Sequence, residues 1–302
     1  MQYKIINVNS QNKMHSAETK GTKEKYWLNL NGKKALIKLN KYDKEKDIRS
    51  YNVSEKIFSE IAHYLNFPCV NIDFIIDGTG KFGLASYDYK LENNNMKVLS
   101  GDDLFISVFG RKAHKKNDKN ITKEDYCYNN IYKILISYDK TLIKDFNKIM
   151  IMDALTGEND RHFENWGIYS VDNENHKLLP MYDNSSCLLH QFRDDKVLEK
   201  IMTNNSLKDY VLSPKSQCKV SIDGVLYNHF IFIDYLLENL NQDEKAQLII
   251  DINKLKKLTD AKIAEIVNMV PECLCTSKHK KLIIEYIILR RNILLEKVNY
   301  NE

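Results

Sequence analysis

Two short stretches of the chain carry the residue types that phosphoryl transfer requires. The first is Gly157 to Ile168, GENDRHFENWGI, and the second is Leu179 to Ser186, LPMYDNSS. They supply an acid at Asp160, an amide at Asn165 and a second acid at Asp183. Phosphoryl transfer asks little covalent chemistry of a protein; the nucleophile must be oriented and metal ions held against the phosphates. Asp160 would accept or orient the acceptor hydroxyl, while Asn165 and Asp183 would offer oxygen ligands to Mg2+, a hard cation. Arg161 and His162 would brace the loop between them. Loops rich in Asp and Asn also arise because those side chains hydrogen-bond turns, so the pattern D-x-x-x-x-N is weak by itself.

Upstream residues strengthen the reading. In KKALIKLN, Lys38 closes a strand that follows a hairpin, where a lysine can reach the α- and β-phosphates of a nucleotide. Glu55, in the helix that follows, is the acid that would hold Lys38 in place. The competing account of Lys38 is a surface lysine with a snorkelling stem. Ahead of the hairpin, Ser16 to Lys25 (SAETKGTKEK) combines Gly21, two threonines and three lysines. Backbone amides near a flexible glycine can approach an anion, so this is the candidate phosphate-covering loop, although it matches neither G-x-G-x-x-G nor the Walker pattern.

Elements must bring these residues together. Lys25 to Leu30 and Lys34 to Leu39 read as strands joined by Asn31-Gly32, a strong hairpin signal. In Asn52 to Leu65, Val53, Ile57, Ile61 and Leu65 form one helical stripe. Val70 to Ile76 and Phe82 to Tyr87 read as strands joined by the turn residues Asp77 to Gly80. Thr141 to Leu155 reads as a helix that Gly157 stops. Trp166 to Val171 and Lys177 to Met181 are strand-like, and their hairpin would let Asn165 and Asp183 converge on one ion. Past residue 226 the period is helical through Lys297. The expected division is a β-rich lobe over residues 1–88 and a helical lobe over 89–302. The charged run Arg111 to Asp125 is expected to be a solvated loop.

Bulk properties set limits. With 302 residues, 43% of them hydrophobic, the chain can bury a real core. Its 45 basic and 41 acidic residues balance too closely to imply nucleic-acid binding on charge alone. Six scattered cysteines show no zinc-ligand spacing and are expected to be reduced and mostly buried. No apolar run reaches membrane-spanning length and the N-terminus holds no signal h-region, so no membrane contact is expected, and the expected location is the cytoplasm, or export as an effector without a cleavable signal.

With these residues in hand, the chain resembles the HipA-like serine/threonine kinases, in particular short forms without the family's extra N-terminal subdomain. The resemblance runs from about Gly21 to the helical C-terminus. It is carried by G-T-K-E-K (21 to 25), I-K (37 to 38), the helix from Glu55, N-D-R-H-x-x-N (159 to 165) and L-P-M-Y-D-N-S-S (179 to 186). It implies an α+β, bilobal, protein-kinase-like fold with ATP between a small β-rich N-lobe and a larger helical C-lobe. The implied catalytic residues are Asp160, Lys38 and Glu55, and the implied magnesium ligands are Asn165 and Asp183. Gly21, Thr22, Lys25 and Lys38, with Tyr87, Asp88 and His162, join those two ligands as implied nucleotide contacts.

The resemblance further implies a protein substrate, an antitoxin partner in toxin-type members, and in some members phosphorylation of a hydroxyl in the phosphate loop, for which this chain offers Ser16, Thr19 and Thr22. D-R-H in place of H-R-D, and Asp-Asn-Ser in place of D-F-G, separate it from ordinary protein kinases. The D-R-H-x-x-N loop is similar to that of phosphoinositide kinases as well, making a lipid or small-molecule kinase the alternative enzyme. A non-catalytic module that binds nucleotide or a partner is the alternative outside enzymes. Tyr182-Asp183-Asn184-Ser185-Ser186 favours the HipA-like reading.

Overall fold

The computed structural model describes residues 2–8, 13–14, 25–40, 42–43, 46–47, 49–88, 96–110, 124–171, 175–191, 206–214 and 216–299. Ser16, Thr19, Gly21 and Thr22, and most of the charged run from Arg111, lie outside them.

The small lobe is a six-stranded sheet with one helix. Its strands are β1 (Ile5–Val8), β2 (Lys13–Met14), β3 (Lys25–Leu30), β4 (Lys33–Leu39), and, after the ribbon of β5 (Tyr42–Asp43) and β6 (Lys46–Asp47), β7 (Ile72–Asp77) and β8 (Phe82–Tyr87). The order is β1-β7-β8-β4-β3-β2, antiparallel except for the parallel β1–β7 pair. Asn31 and Gly32, at φ 52° and 80°, make the left-handed turn that joins β3 to β4. Side chains alternate along β4. Ala35, Ile37 and Leu39 point into a small core with Val8, Leu28, Ile75 and Ala85, so Leu36 and Lys38 face the other way.

Helix α1 (Arg49–Tyr64) buries the stripe Val53, Ile57 and Ile61, continued by Leu65, in the main core. Ile57 is fully buried, and truncating it to alanine would cost about 2–5 kcal/mol. The stripe ties the small lobe to the large one: Tyr3 N–H donates to Met269 O at 2.7 Å, and Tyr64 Oη to Lys257 O at 3.2 Å.

The large lobe begins with β9 (Lys97–Ser100), α2 (Gly101–Phe109), α3 (Tyr128–Tyr138) and α4 (Leu142–Thr156). Next come β10 (Gly167–Ser170) and β11 (His176–Leu178), which with β9 form a three-stranded sheet. Helices α5 (Ser206–Leu212), α6 (His229–Asn239), α7 (Gln242–Asn253), α8 (Asp260–Asn268) and α9 (Ser277–Asn299) complete it. Asn228, Asn241 and Thr259 cap α6, α7 and α8, each accepting a first-turn N–H.

The strand expected to run to Met181 stops at Leu178. Pro180 has no N–H for a ladder, and the chain leaves β10 for the other lobe, where Met181 N–H donates to Pro68 O at 2.9 Å and Val70 N–H to Met181 O at 3.0 Å. That crossing carries Asp183 beneath the sheet. The six cysteines are free thiols, all buried except Cys273. No described helix is long and apolar enough to cross a membrane.

Candidate active site

Helix α4 delivers the candidate catalytic loop. Gly157 caps it in the left-handed conformation, φ 71°, its N–H on Asp153 O. A side chain there would also run into the Tyr286 hydroxyl of α9, so glycine is required twice over. Glu158 follows, buried, with Oε1 accepting Asp160 N–H at 2.8 Å and Oε2 accepting Ser186 N–H at 3.0 Å. One carboxyl thus ties this loop to the segment carrying Asp183. Burial pushes its pKa up to about 8, against the pull of Arg161.

Arg161 is the hub of the loop. Its guanidinium, 1% exposed, binds Asp153 on α4 through two hydrogen bonds of 2.8 and 3.1 Å. It also donates to Asn165 O at 3.0 Å, Tyr182 O at 3.3 Å and Asn184 Oδ1 at 2.6 Å. Burial disfavours the charge, but Asp153 holds the guanidinium pKa above its usual value; burial pushes Asp153 up and Arg161 opposes it. Behind the loop, Tyr126 Oη donates to Arg161 O at 2.7 Å and accepts Trp166 Nε1–H at 2.9 Å. Asn165 Nδ2 donates to Asp160 O at 2.8 Å, and His162 Nδ1 accepts Glu164 N–H at 3.2 Å. Asp160 itself projects outward, 49% exposed, with Lys219 Nζ 3.9 Å from its Oδ1.

The other half of the site hangs from the sheet. Lys38 Nζ lies 2.9 Å from Glu55 Oε1 and 2.8 Å from Asp183 Oδ1. Burial alone would lower the Lys38 pKa, but Glu55 and then Asp183 outweigh it and hold it above the ordinary lysine value, so the ammonium stays charged. Asp183 reaches it from φ 54°, a left-handed conformation uncommon outside glycine that Asp and Asn tolerate best. Lys38 and Asp183 open onto a cleft of about 250 Å³ walled by Trp27, Leu36 and Val70 and closed by Tyr182. An apolar slot with a few charged groups at one end is the usual form of a nucleotide-sized site.

The structure brings Lys38, Glu55 and Asp183 into contact and lines the cleft with Lys25, Tyr87 and Asp88. Tyr87 Oη donates to Asp73 Oδ2 at 2.9 Å, and burial, with that carboxylate, pushes its pKa up to about 12. Asp160, His162 and Asn165 stand on the loop and not in the cleft lining. Gly21 and Thr22 fall outside the described residues. Sequence reasoning missed Glu158, Tyr126, Trp27 and Lys219. Trp27 carried a signal, since it sits two residues from Lys25 on the same strand face.

Comparison with known proteins places the fold. The family model described as HipA-like C-terminal domain matches residues 10–251. The serine/threonine-protein kinase CtkA of Helicobacter pylori is 31% identical over 123 residues, an alignment spanning 38% of this chain and 36% of that protein. A crystal structure of CtkA, described as a proinflammatory kinase, superposes with a TM-score of 0.77 at 17% identity, covering 99% of this chain and 100% of that one. HipA of Shewanella oneidensis MR-1, solved with HipB and operator DNA, gives a TM-score of 0.55 at 14% identity, covering 97% of this chain and 68% of the other. Matched by the family model over most of its length and folded like CtkA and HipA, the chain belongs to the HipA-like kinase family.

Proposed function

We propose that the protein is an ATP- and Mg2+-dependent kinase that transfers the γ-phosphoryl group to a serine or threonine hydroxyl of another protein. The observation that carries this is Lys38 held between Glu55 and Asp183 at the charged end of an apolar cleft. A lysine so placed reaches the nucleotide phosphates, and the acid in the next helix fixes it. Trp27, Leu36 and Val70 would enclose the base, with Tyr87 and Asp88 at the strand end beside it.

The residues present fit a magnesium ion. Asn165 uses its Nδ2 on the Asp160 carbonyl, which leaves Oδ1 for a metal, and Asp183 brings a carboxylate. Among the described residues no three His, Cys, Asp or Glu side chains converge as a metal cage. One amide and one carboxylate suit Mg2+, which fills its other positions with water and phosphate oxygens. Bound there, the ion would neutralise phosphate charge. Asp160, outside the cleft on a loop fixed by Arg161 and Glu158, would orient the acceptor hydroxyl and take its proton.

We place the lobe division near residue 88 and the protein in the cytoplasm. A protein antitoxin is the proposed partner, supported by the Shewanella HipA structure, which contains HipB. A phosphate-loop hydroxyl, Ser16, Thr19 or Thr22, is proposed as a self-phosphorylation site. The test is phosphate transfer from labelled ATP to dephosphorylated casein with and without Mg2+, followed by phosphoproteomics after brief expression of the wild type and of Asp160→Ala. Label on protein only with Mg2+ and wild-type enzyme supports the reading; Mg-ATP binding without turnover would leave a nucleotide-binding module.

A further inference from the structure

We propose that Lys219 supplies the positive charge met by the γ-phosphoryl group as it passes to the hydroxyl held by Asp160; the proposal rests on the kinase reading above. Transfer breaks the bond between the γ-phosphorus and the bridging oxygen, which leaves with ADP and keeps the electron pair. A bond forms from the acceptor oxygen to phosphorus, and the hydroxyl proton goes to Asp160. Charge spreads over the equatorial phosphoryl oxygens, so a fixed cation beside the base lowers the barrier.

The loop has no cation of its own to give. Arg161 is buried and bound to Asp153, Asn165, Tyr182 and Asn184. Lys38 is held by two carboxylates. His162 is occupied at Nδ1 by the Glu164 N–H. Lys219 is different: its Nζ lies 3.9 Å from Asp160 Oδ1, and the two side chains are 45% and 49% exposed. An exposed pair of that length contributes little to stability, so an incoming substrate displaces it at little cost.

Its backbone, in contrast, is firmly built. Cys218 and Val220 on either side are buried while Lys219 is exposed. Cys218 N–H donates to Tyr227 O at 2.9 Å, Ser221 N–H to Tyr126 O at 3.1 Å, and Tyr128 N–H to Ser221 O at 2.9 Å. Tyr126 in turn donates through its hydroxyl to Arg161 O at 2.7 Å. One tyrosine therefore links the segment bearing Lys219 to the residue next to Asp160. These bonds fix the backbone from which Lys219 reaches the base.

The experiment compares full-length wild type, Lys219→Met and Lys219→Arg. Turnover is measured with Mg-ATP and casein, and binding of Mg-ADP with and without fluoroaluminate, a mimic of the transferring phosphoryl group, is measured by calorimetry. Lys219→Met is expected to bind Mg-ADP as wild type does, to lose about a hundredfold in kcat at unchanged KM for ATP, the scale of one transition-state contact, and to lose most of the affinity that fluoroaluminate adds. Lys219→Arg is expected to recover most of both. Wild-type kcat in Lys219→Met, or a loss confined to KM for casein or to thermal stability, overturns the proposal and leaves the kinase reading standing. Wild-type protein that neither turns over Mg-ATP nor gains affinity with fluoroaluminate overturns both.

Discussion

The carboxylate of Asp153 grips the guanidinium of Arg161 at 2.8 and 3.1 Å, with both side chains almost wholly out of solvent. Truncating one partner of a buried pair leaves an uncompensated charge, at a cost of about 3–5 kcal/mol. Asp153→Ala is therefore expected to lower the free energy of unfolding by that amount in urea titrations. It should also depress turnover beyond its effect on folded fraction, because Arg161 holds the carbonyls of Asn165 and Tyr182. Unchanged midpoint and slope in urea would show that the pair does not support the loop.

Glu158 makes stability depend on pH. Its carboxyl is raised from the ordinary 4.5 to about 8, chiefly by burial. A group whose folded pKa lies above its unfolded one holds more protons when folded, so its contribution is fully present below the unfolded value and is lost as pH rises through the folded one. Urea unfolding is expected to show wild-type stability falling between pH 4.5 and about 8. Glu158→Gln should be flatter across that window and lower than wild type by about 1–3 kcal/mol at its acid end, since one of the two N–H donors loses its acceptor. Equal slopes for the two proteins would rule out Glu158 as the source.

The candidate site residues were legible where the motif is local. Asp160, Arg161 and Asn165 lie within one loop, and the hairpin turn Asn31-Gly32 fixes where Lys38 falls on its strand. Strands β3, β4 and β8 and helices α1 and α4 lie within a few residues of their sequence-read bounds, because alternation and the helical stripe are strong there. Strand β1 was not legible. Four residues pairing in parallel with β7, more than sixty positions away, leave no local turn to announce them. Glu158 and Tyr126 escaped for the same reason, as their meaning lies in the backbone N–H of Ser186 and the carbonyl of Arg161. The end of β11 depended on Pro180, whose missing donor sends the chain across to Cys69.

Metal ligation gives an ordered pair of outcomes. Asp183→Ala would remove the proposed anionic ligand and also one of the two partners of Lys38, whereas Asn165→Ala would remove a neutral amide and the hydrogen bond to the Asp160 carbonyl. A carboxylate interacts more strongly than an amide with a divalent cation. Calorimetry of ATP with and without Mg2+ is expected to show the magnesium-dependent gain abolished in Asp183→Ala and reduced in Asn165→Ala. If both variants keep the full gain, the ion sits elsewhere.

Asp160→Asn separates chemistry from architecture. Every contact that fixes the loop at this residue uses its main chain: the N–H goes to Glu158 and the carbonyl accepts from Asn165. The side chain is half exposed and has a 3.9 Å approach to Lys219 as its ion pair. Exposed substitutions of this kind change stability by roughly 0.5 kcal/mol or less, so the variant is expected to fold like wild type. Asp160 is also absent from the cleft lining, so Mg-ATP affinity should stay within about twofold, because the carboxylate acts mainly in the transition state. Turnover is where the change falls: loss of a general base should cost about a hundredfold or more in kcat. Thermal unfolding, calorimetry and initial rates on the same preparation check the three parts together. Retained turnover in a variant that folds and binds normally would remove Asp160 from the mechanism.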